Sequence, residues 1–335
     1  MTGTIATAGT TAGGGPVQAI TLAEGGLTLR LLTLGATVQD LRLAGVAWPL
    51  VIGAEDPAAY AGPLLYAGAI VGPVANRIAG AGARIAGRRC RFEANEGATL
   101  LHSGASGLHA RIWQIETAGP DRATLICHLP EGDGGFPGNR TIRATFALSD
   151  PGALTLTLTA TSDAATLMNL AHHGYWNLDG TADTQGHRLS VRADSYLEVD
   201  ASLIPDGPPR PVDGTHFDLR AGRRLADAPP LDHSFCLAPA RRPVTQAATL
   251  TGASGVRLRI ETTEPGLQVY DGRHLALPPG LGLGGRGYGP FAGIALEPQV
   301  WPDAPNRPDF PPALLRPGET YRQVTRFRLD RVQTP

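Results

Sequence analysis

Two short segments of this 335-residue chain carry side chains able to move protons. The first is Asn169-Leu-Ala-His-His173-Gly-Tyr-Trp-Asn-Leu178, in which two adjacent histidines precede Tyr175, Trp176 and Asn177. Imidazole exchanges a proton near neutral pH. Neighbours on a strand point to opposite faces, so one histidine can face a pocket while the other packs or bonds to backbone. A purely structural pair at a strand end fits the pattern equally well. The second segment is Gly293-Ile-Ala-Leu-Glu297-Pro-Gln299-Val-Trp301-Pro-Asp303, an apolar run that ends in one carboxylate. Apolar surroundings raise the pKa of a carboxyl group, which suits a general base. A strand-end Glu paired with an arginine is the alternative. Three further segments are weaker. Asn76-Arg77 follows the loop Ala69-Ile-Val-Gly-Pro-Val-Ala75. Leu101-His102-Ser-Gly104 reads as a polar turn, and Leu231-Asp232-His233 sets an acid beside an imidazole.

Composition removes several classes of chemistry. All 29 basic residues are arginine. Schiff-base catalysis and a phosphate-cradling Walker A loop each need a lysine, so both are excluded. The formal net charge is −1 with no long run of like charge, which argues against a nucleic-acid groove or an anionic membrane surface. No apolar run approaches the ~18 residues of a membrane span. Cys90, Cys127 and Cys236 form neither a disulfide framework nor a zinc spacing, and they fit a reducing cytoplasm. No histidine, cysteine and carboxylate set has metal-ligand spacing, and there is no nucleotide fingerprint, so neither metal nor organic cofactor is expected.

The elements that position these residues read as strands. Gly (43) and Pro (29) make up about a fifth of the chain and cut it into short segments. Leu154-Thr-Leu156-Thr-Leu158-Thr-Ala160-Thr alternates with period two, as a half-buried antiparallel strand does. Val256-Arg-Leu258-Arg-Ile260-Glu repeats the pattern, and Thr141–Phe146 and Thr325–Leu329 follow it more weakly. No amphipathic helix longer than two turns is evident, so the class is all-β, a sandwich or barrel. Residues 1–16 lack a basic segment and an apolar stretch, which makes a poor signal peptide, and they read as a flexible tail. Residues 17–335 read as a single domain. The run Gly280-Leu-Gly-Leu-Gly-Gly-Arg-Gly287 reads as a mobile loop.

Taken together and in order, the segments resemble the aldose 1-epimerase (galactose mutarotase) family. The resemblance rests on Val74-Ala-Asn-Arg77, Leu101-His102, Phe136-Pro-Gly138 and His173-x-Tyr-Trp-Asn-Leu178, followed by Leu203-Ile-Pro-Asp-Gly207, Phe217-Asp-Leu-Arg220, Leu231-Asp-His233 and Leu296-Glu297-x-Gln299-x-Trp-Pro-Asp303. It implies a large antiparallel β-sandwich with the sugar site on a sheet face. It further implies Glu297 as general base, His173 as general acid, and Asn76, Arg77, His102 and Asp232 as ligands of the sugar hydroxyls, with Tyr175 and Gln299 close by. Four segments depart from the family pattern: Ala171-His172, Ser103, Gly107-Leu108-His109 and Pro298. The implied activity interconverts the anomers of a free monosaccharide, in a monomer or homodimer, without nucleic acid or membrane. With those roles, the acidic limb of kcat/KM would belong to Glu297 and the basic limb to His173. A glycoside hydrolase with Asp232 as second carboxylate, a non-catalytic sugar-binding module and a hexose-6-phosphate epimerase are the rival readings.

Overall fold

The computed structural model describes residues 3–11, 13–149 and 151–332. Its elements are β-strands and short 3-10 turns of three to five residues. Among these residues no helix is long and apolar enough to cross a membrane.

The alternating segments form the largest sheet. Arg122–Leu129, Arg140–Ser149, Ala153–Ser162, Tyr321–Arg331, Val256–Thr262 and Thr245–Thr251 lie side by side, all antiparallel, within nine strands. Leu154, Leu156 and Leu158 are buried while Thr155, Thr157 and Thr159 are only half-buried, as the period of two requires. Phe146, Leu258, Ile260 and Phe327 join them on the buried face.

A six-stranded antiparallel sheet covers that face. Its order is Tyr175–Trp176, Ile294–Gln299, Gly266–Tyr270, Asp232–Cys236, Ser195–Tyr196 and Arg210–Pro211. The two sheets share one hydrophobic core: Trp176, Phe235, Leu267, Val269, Ile294 and Leu296 pack with Phe146, Leu156, Leu258 and Phe327. The Trp176 and Phe327 rings lie 5.2 Å apart. This is the expected sandwich, and the second face of the smaller sheet is left free for a site.

The tail expectation fails over part of its length. Thr4–Thr10 pairs with Pro16–Glu24 at the edge of a four-stranded sheet that continues through Leu27–Leu32 and Thr37–Leu43. The strand buries little, so ladder hydrogen bonds rather than a hydrophobic face hold it. A burial-based reading has no handle on such a segment. Residues 1, 2 and 12 of the expected tail lie outside the described residues. The glycine-rich run is likewise tied down: Leu283 is buried, its N–H donates to the Gly53 carbonyl, and Arg286 donates to the Gly180 carbonyl.

The alternation carries a direct energetic consequence. Leu156→Ala leaves a cavity between the two sheets and should cost about 2–5 kcal/mol in urea unfolding. Thr157→Ala, on the opposite face, should stay within about 0.5 kcal/mol. Equal losses at the two positions would refute the assigned faces.

Candidate active site

The same alternation places the chemistry. In Ile294–Gln299 every residue is buried, but the two faces bury into different surroundings. Ile294 and Leu296 enter the core, so Ala295, Glu297 and Gln299 point the other way. On neighbouring strands Leu267 and Val269 enter the core while Gln268 and Tyr270 face the free side. Trp176 enters the core and Tyr175 faces out; Phe235 enters the core and Asp232 faces out. Register completes the set, with Gln268 opposite Glu297, Tyr175 and Tyr270 both opposite Ala295, and Asp232 opposite Tyr270. Gly293 precedes the Ile294–Gln299 strand, and a Cβ on it would come within 2.7 Å of Ile52 and 2.9 Å of the Tyr175 Cβ.

Loops supply the opposite wall. Ala171–His172 pairs with Ile70–Val71, and the His173 N–H donates to the Ala69 carbonyl. His173 thereby turns to the cavity while His172 turns into the core against Phe327, ring centroids 5.7 Å apart. One histidine faces the pocket and the other packs. Gly174 sits under the His172 ring, where a Cβ would run into it. Asn76 and His102 come together because the Asn76 N–H donates to His102 Nδ1 at 3.1 Å. With Nδ1 accepting, the neutral ring carries its proton on Nε2 and offers a donor. Tyr66, Asn76, His102 and Leu203 all hold φ between 50° and 72°. Strained backbone clustered at one cavity is a mark of a functional site.

The resulting cavity holds about 350 Å³. Asn76, Arg77, His102, His173, Tyr175, Asp232 and Glu297 all line it. Gln299, also singled out from the sequence, does not; it is fully buried, and its side-chain amide donates to the Glu297 backbone carbonyl. The cavity adds residues that sequence reasoning missed: Tyr66, Glu96, Leu203, Gln268, Tyr270 and His274. Gln268 donates to Asp232 at 2.6 Å, and Glu96 takes both Nε and Nη2 of Arg77, at 2.6 and 2.9 Å. The bidentate pair fixes the guanidinium plane.

At the centre, His173 Nε2 lies 3.6 Å from Glu297 Oε1. Both groups are nearly fully buried, and Glu297 Oε2 and His173 Nδ1 have no hydrogen-bond partner. Burial pushes the Glu297 carboxyl well above its ordinary range, and the nearby Asp232 charge adds to this; Arg77 and Gln299 oppose it. Burial also pushes His173 down to about 4, with His109 pushing the same way. Both shifts favour the neutral form of the group concerned, so the buried pair resists charge on either side. His102 is held well below its usual value, chiefly by burial. Among the described residues no group of three or more His, Cys, Asp or Glu side chains is arranged to hold a metal ion. The three cysteines are buried and unpaired.

The family model described as aldose 1-epimerase matches residues 18–328. The chain is 36% identical to galactose mutarotase from Mus musculus, the match covering 95% of each chain. It is 32% identical to aldose 1-epimerase from Escherichia coli K12, covering 94% of this chain and 96% of that one. Among solved structures, an aldose epimerase homologue from C. elegans superposes with a TM-score of 0.86 at 31% identity, covering 94% of this chain and 99% of that one. A galactose 1-epimerase from Lactobacillus acidophilus superposes with a TM-score of 0.85 at 25% identity, covering 99% of both.

The electrostatics can be checked without turnover. Carboxyl carbon NMR of the labelled protein should show Glu297 titrating above 4.5, the ordinary value. Asp232→Asn should lower that midpoint, because it removes a charge that disfavours the Glu297 carboxylate. A midpoint at or below 4.5 in the wild-type protein would contradict the assignment.

Proposed function

We propose that this chain, which belongs to the aldose 1-epimerase family and interconverts the α and β anomers of free aldoses, uses Glu297 as its general base and His173 as its general acid. The observation that carries the reading is the buried contact between Glu297 Oε1 and His173 Nε2 on a single cavity. Mutarotation asks for two proton transfers. Glu297 takes the proton of the anomeric hydroxyl while His173 gives one to the ring oxygen. The C1–O5 bond then breaks to give the open-chain aldehyde. Rotation about C1–C2 and reclosure, with the protons returning along the same routes, gives the other anomer.

The charged pair needed for the first step, carboxylate and imidazolium, differs from the neutral resting pair only in where one proton sits. The cavity reaches it without exchanging a proton with solvent. Sugar hydroxyls entering the cavity bring polar partners to both groups, and Arg77 favours the carboxylate. Asn76, Arg77, His102 and Asp232 take the roles of hydroxyl ligands. Arg77 is oriented by Glu96 and Asp232 by Gln268, so both are set before substrate arrives. Tyr175 stays a neutral phenol, its pKa raised chiefly by burial. Galactose or glucose is the substrate we assign. We read residues 17–335, with the edge strand Thr4–Thr10 paired to them, as one domain acting in the cytoplasm, as a monomer or homodimer.

Glu297→Gln keeps the size of the side chain but cannot accept a proton at neutral pH. Polarimetry on freshly dissolved α-glucose or α-galactose should show kcat reduced by a factor on the order of 10² or more. Stability should stay within about 1 kcal/mol, because no cavity forms. His173→Asn should fall comparably, and the double variant by less than the product of the two. A folded Glu297→Gln protein with near wild-type kcat removes Glu297 from the base role.

The pH dependence follows from the two shifts. The active site needs one proton on the pair. Because His173 is pushed down to about 4 and Glu297 upward, activity should rise as pH increases through about 4 and fall once the carboxyl proton is lost. The limbs are thus inverted relative to the expectation from roles alone: the acidic limb tracks His173 and the alkaline limb tracks Glu297. The residual activity of Glu297→Gln should lack the alkaline limb. An alkaline limb unchanged in that variant would overturn the assignment.

A further inference from the structure

A second cavity of about 680 Å³ lies beside the catalytic one, and Tyr66 lines both. The half-buried Tyr66 ring meets His102 at 4.7 Å and His173 at 6.0 Å on the catalytic side, and His109 at 4.5 Å, between ring centroids. The second cavity is walled chiefly by Leu34, Tyr60, Leu65, His109 and Ile112. Leu65 and Ile112 stand out on the surface as large apolar side chains 43% and 41% exposed. Exposed apolar side chains that line a pocket mark ligand sites more often than chance surface. Among the described residues its lining holds no arginine and no carboxylate. His109, pushed down to about 4 by burial and then by the Arg111 charge, is neutral at pH 7.

The chemistry of the reaction gives this cavity a direction. His173 delivers its proton to the ring oxygen, so C5, bonded to that oxygen, sits beside His173, and C6 hangs from C5. Three rings neighbour His173. Tyr175 belongs to the sheet floor next to Glu297, on the C1 side, and His102 is fixed by the Asn76 N–H. Tyr66 is the neighbour that leads out of the catalytic cavity, and it leads into the second one. The geometry points to a subsite for whatever the sugar carries on O6, and so to aldoses 6-O-linked to a second sugar ring as a further substrate class. The inference rests on the assignment of His173 to the ring oxygen. Tyr60, Tyr66 and His109 bring aromatic rings to the lining, and the volume is in the range that holds a small ligand. The lining itself offers no charged group to a 6-phosphate, and the neighbouring Arg111 is already paired with Asp133.

The test is a kcat/KM panel on the full chain with glucose, isomaltose and gentiobiose (6-O-linked), maltose and cellobiose (4-O-linked), and glucose 6-phosphate. The 6-O-linked sugars should exceed the 4-O-linked ones by roughly tenfold or more, and glucose 6-phosphate should fall below glucose by a similar factor. Leu65→Glu puts a charge into the second cavity, and the isomaltose-to-glucose ratio of kcat/KM should drop by about fivefold or more. If that variant fails to fold, the wild-type panel decides alone. Equal use of 4-O- and 6-O-linked sugars, or efficient use of glucose 6-phosphate, overturns the subsite. Loss of the underlying reading looks different: glucose turnover itself would then persist in His173→Asn.

Discussion

A carboxyl group only 2% exposed, set 3.6 Å from a buried imidazole, governs the rest of the site. Neither group holds its charge cheaply in such a place, so burial favours the neutral form of each. Every other charge in the cavity is arranged around that condition. Arg77 carries its counter-charge with it in Glu96, and Asp232 is held by Gln268. Both partners lie at the cavity with the groups they hold, so the charges around Glu297 are set by the protein itself.

The sandwich exists to make that condition possible. The six-stranded sheet uses one face, through Trp176, Phe235, Leu267, Val269, Ile294 and Leu296, to seal against the nine-stranded sheet. The other face then lies over a dry core, which raises the cost of charge on it. The strands contribute Glu297, Tyr175, Gln268 and Asp232 in fixed register, while the loops contribute His173, His102, Asn76 and Arg77. Positive φ at Tyr66, Asn76, His102 and Leu203 is tolerated because strand pairing and backbone hydrogen bonds on either side hold these residues in place.

Much of the fold and part of the site are legible in the sequence. The Leu-Thr alternation of 153–162 identified its strand and its faces, since burial writes period two directly into side-chain type. Glu297 and His173 stood out because each interrupts a segment otherwise apolar or turn-like. What stayed hidden has physical reasons. Gln268 sits in Gly-Leu-Gln-Val-Tyr, where a lone amide looks like an ordinary strand residue; only its register opposite Glu297 gives it meaning. Glu96 lies in a polar turn and acquires its role from Arg77, 19 positions away. Gln299 shares the Glu297 face, yet depth along the strand puts it behind the carboxyl rather than in the cavity. Thr4–Thr10 buries almost nothing, so hydrophobic pattern could not reveal its pairing.

In the proposed mechanism the C1–O5 bond, not the C1–O1 bond, is the one that breaks, because His173 is assigned to the ring oxygen and Glu297 to the anomeric hydroxyl. That is measured most directly with a sugar carrying heavy oxygen at C1, followed by carbon NMR while the enzyme brings pure α anomer to equilibrium in ordinary water. The account predicts that the β anomer appears with its label retained, apart from the slow loss seen without enzyme. Loss of the label to solvent in step with anomer exchange would mean that the anomeric oxygen departs, and would contradict ring opening by this pair.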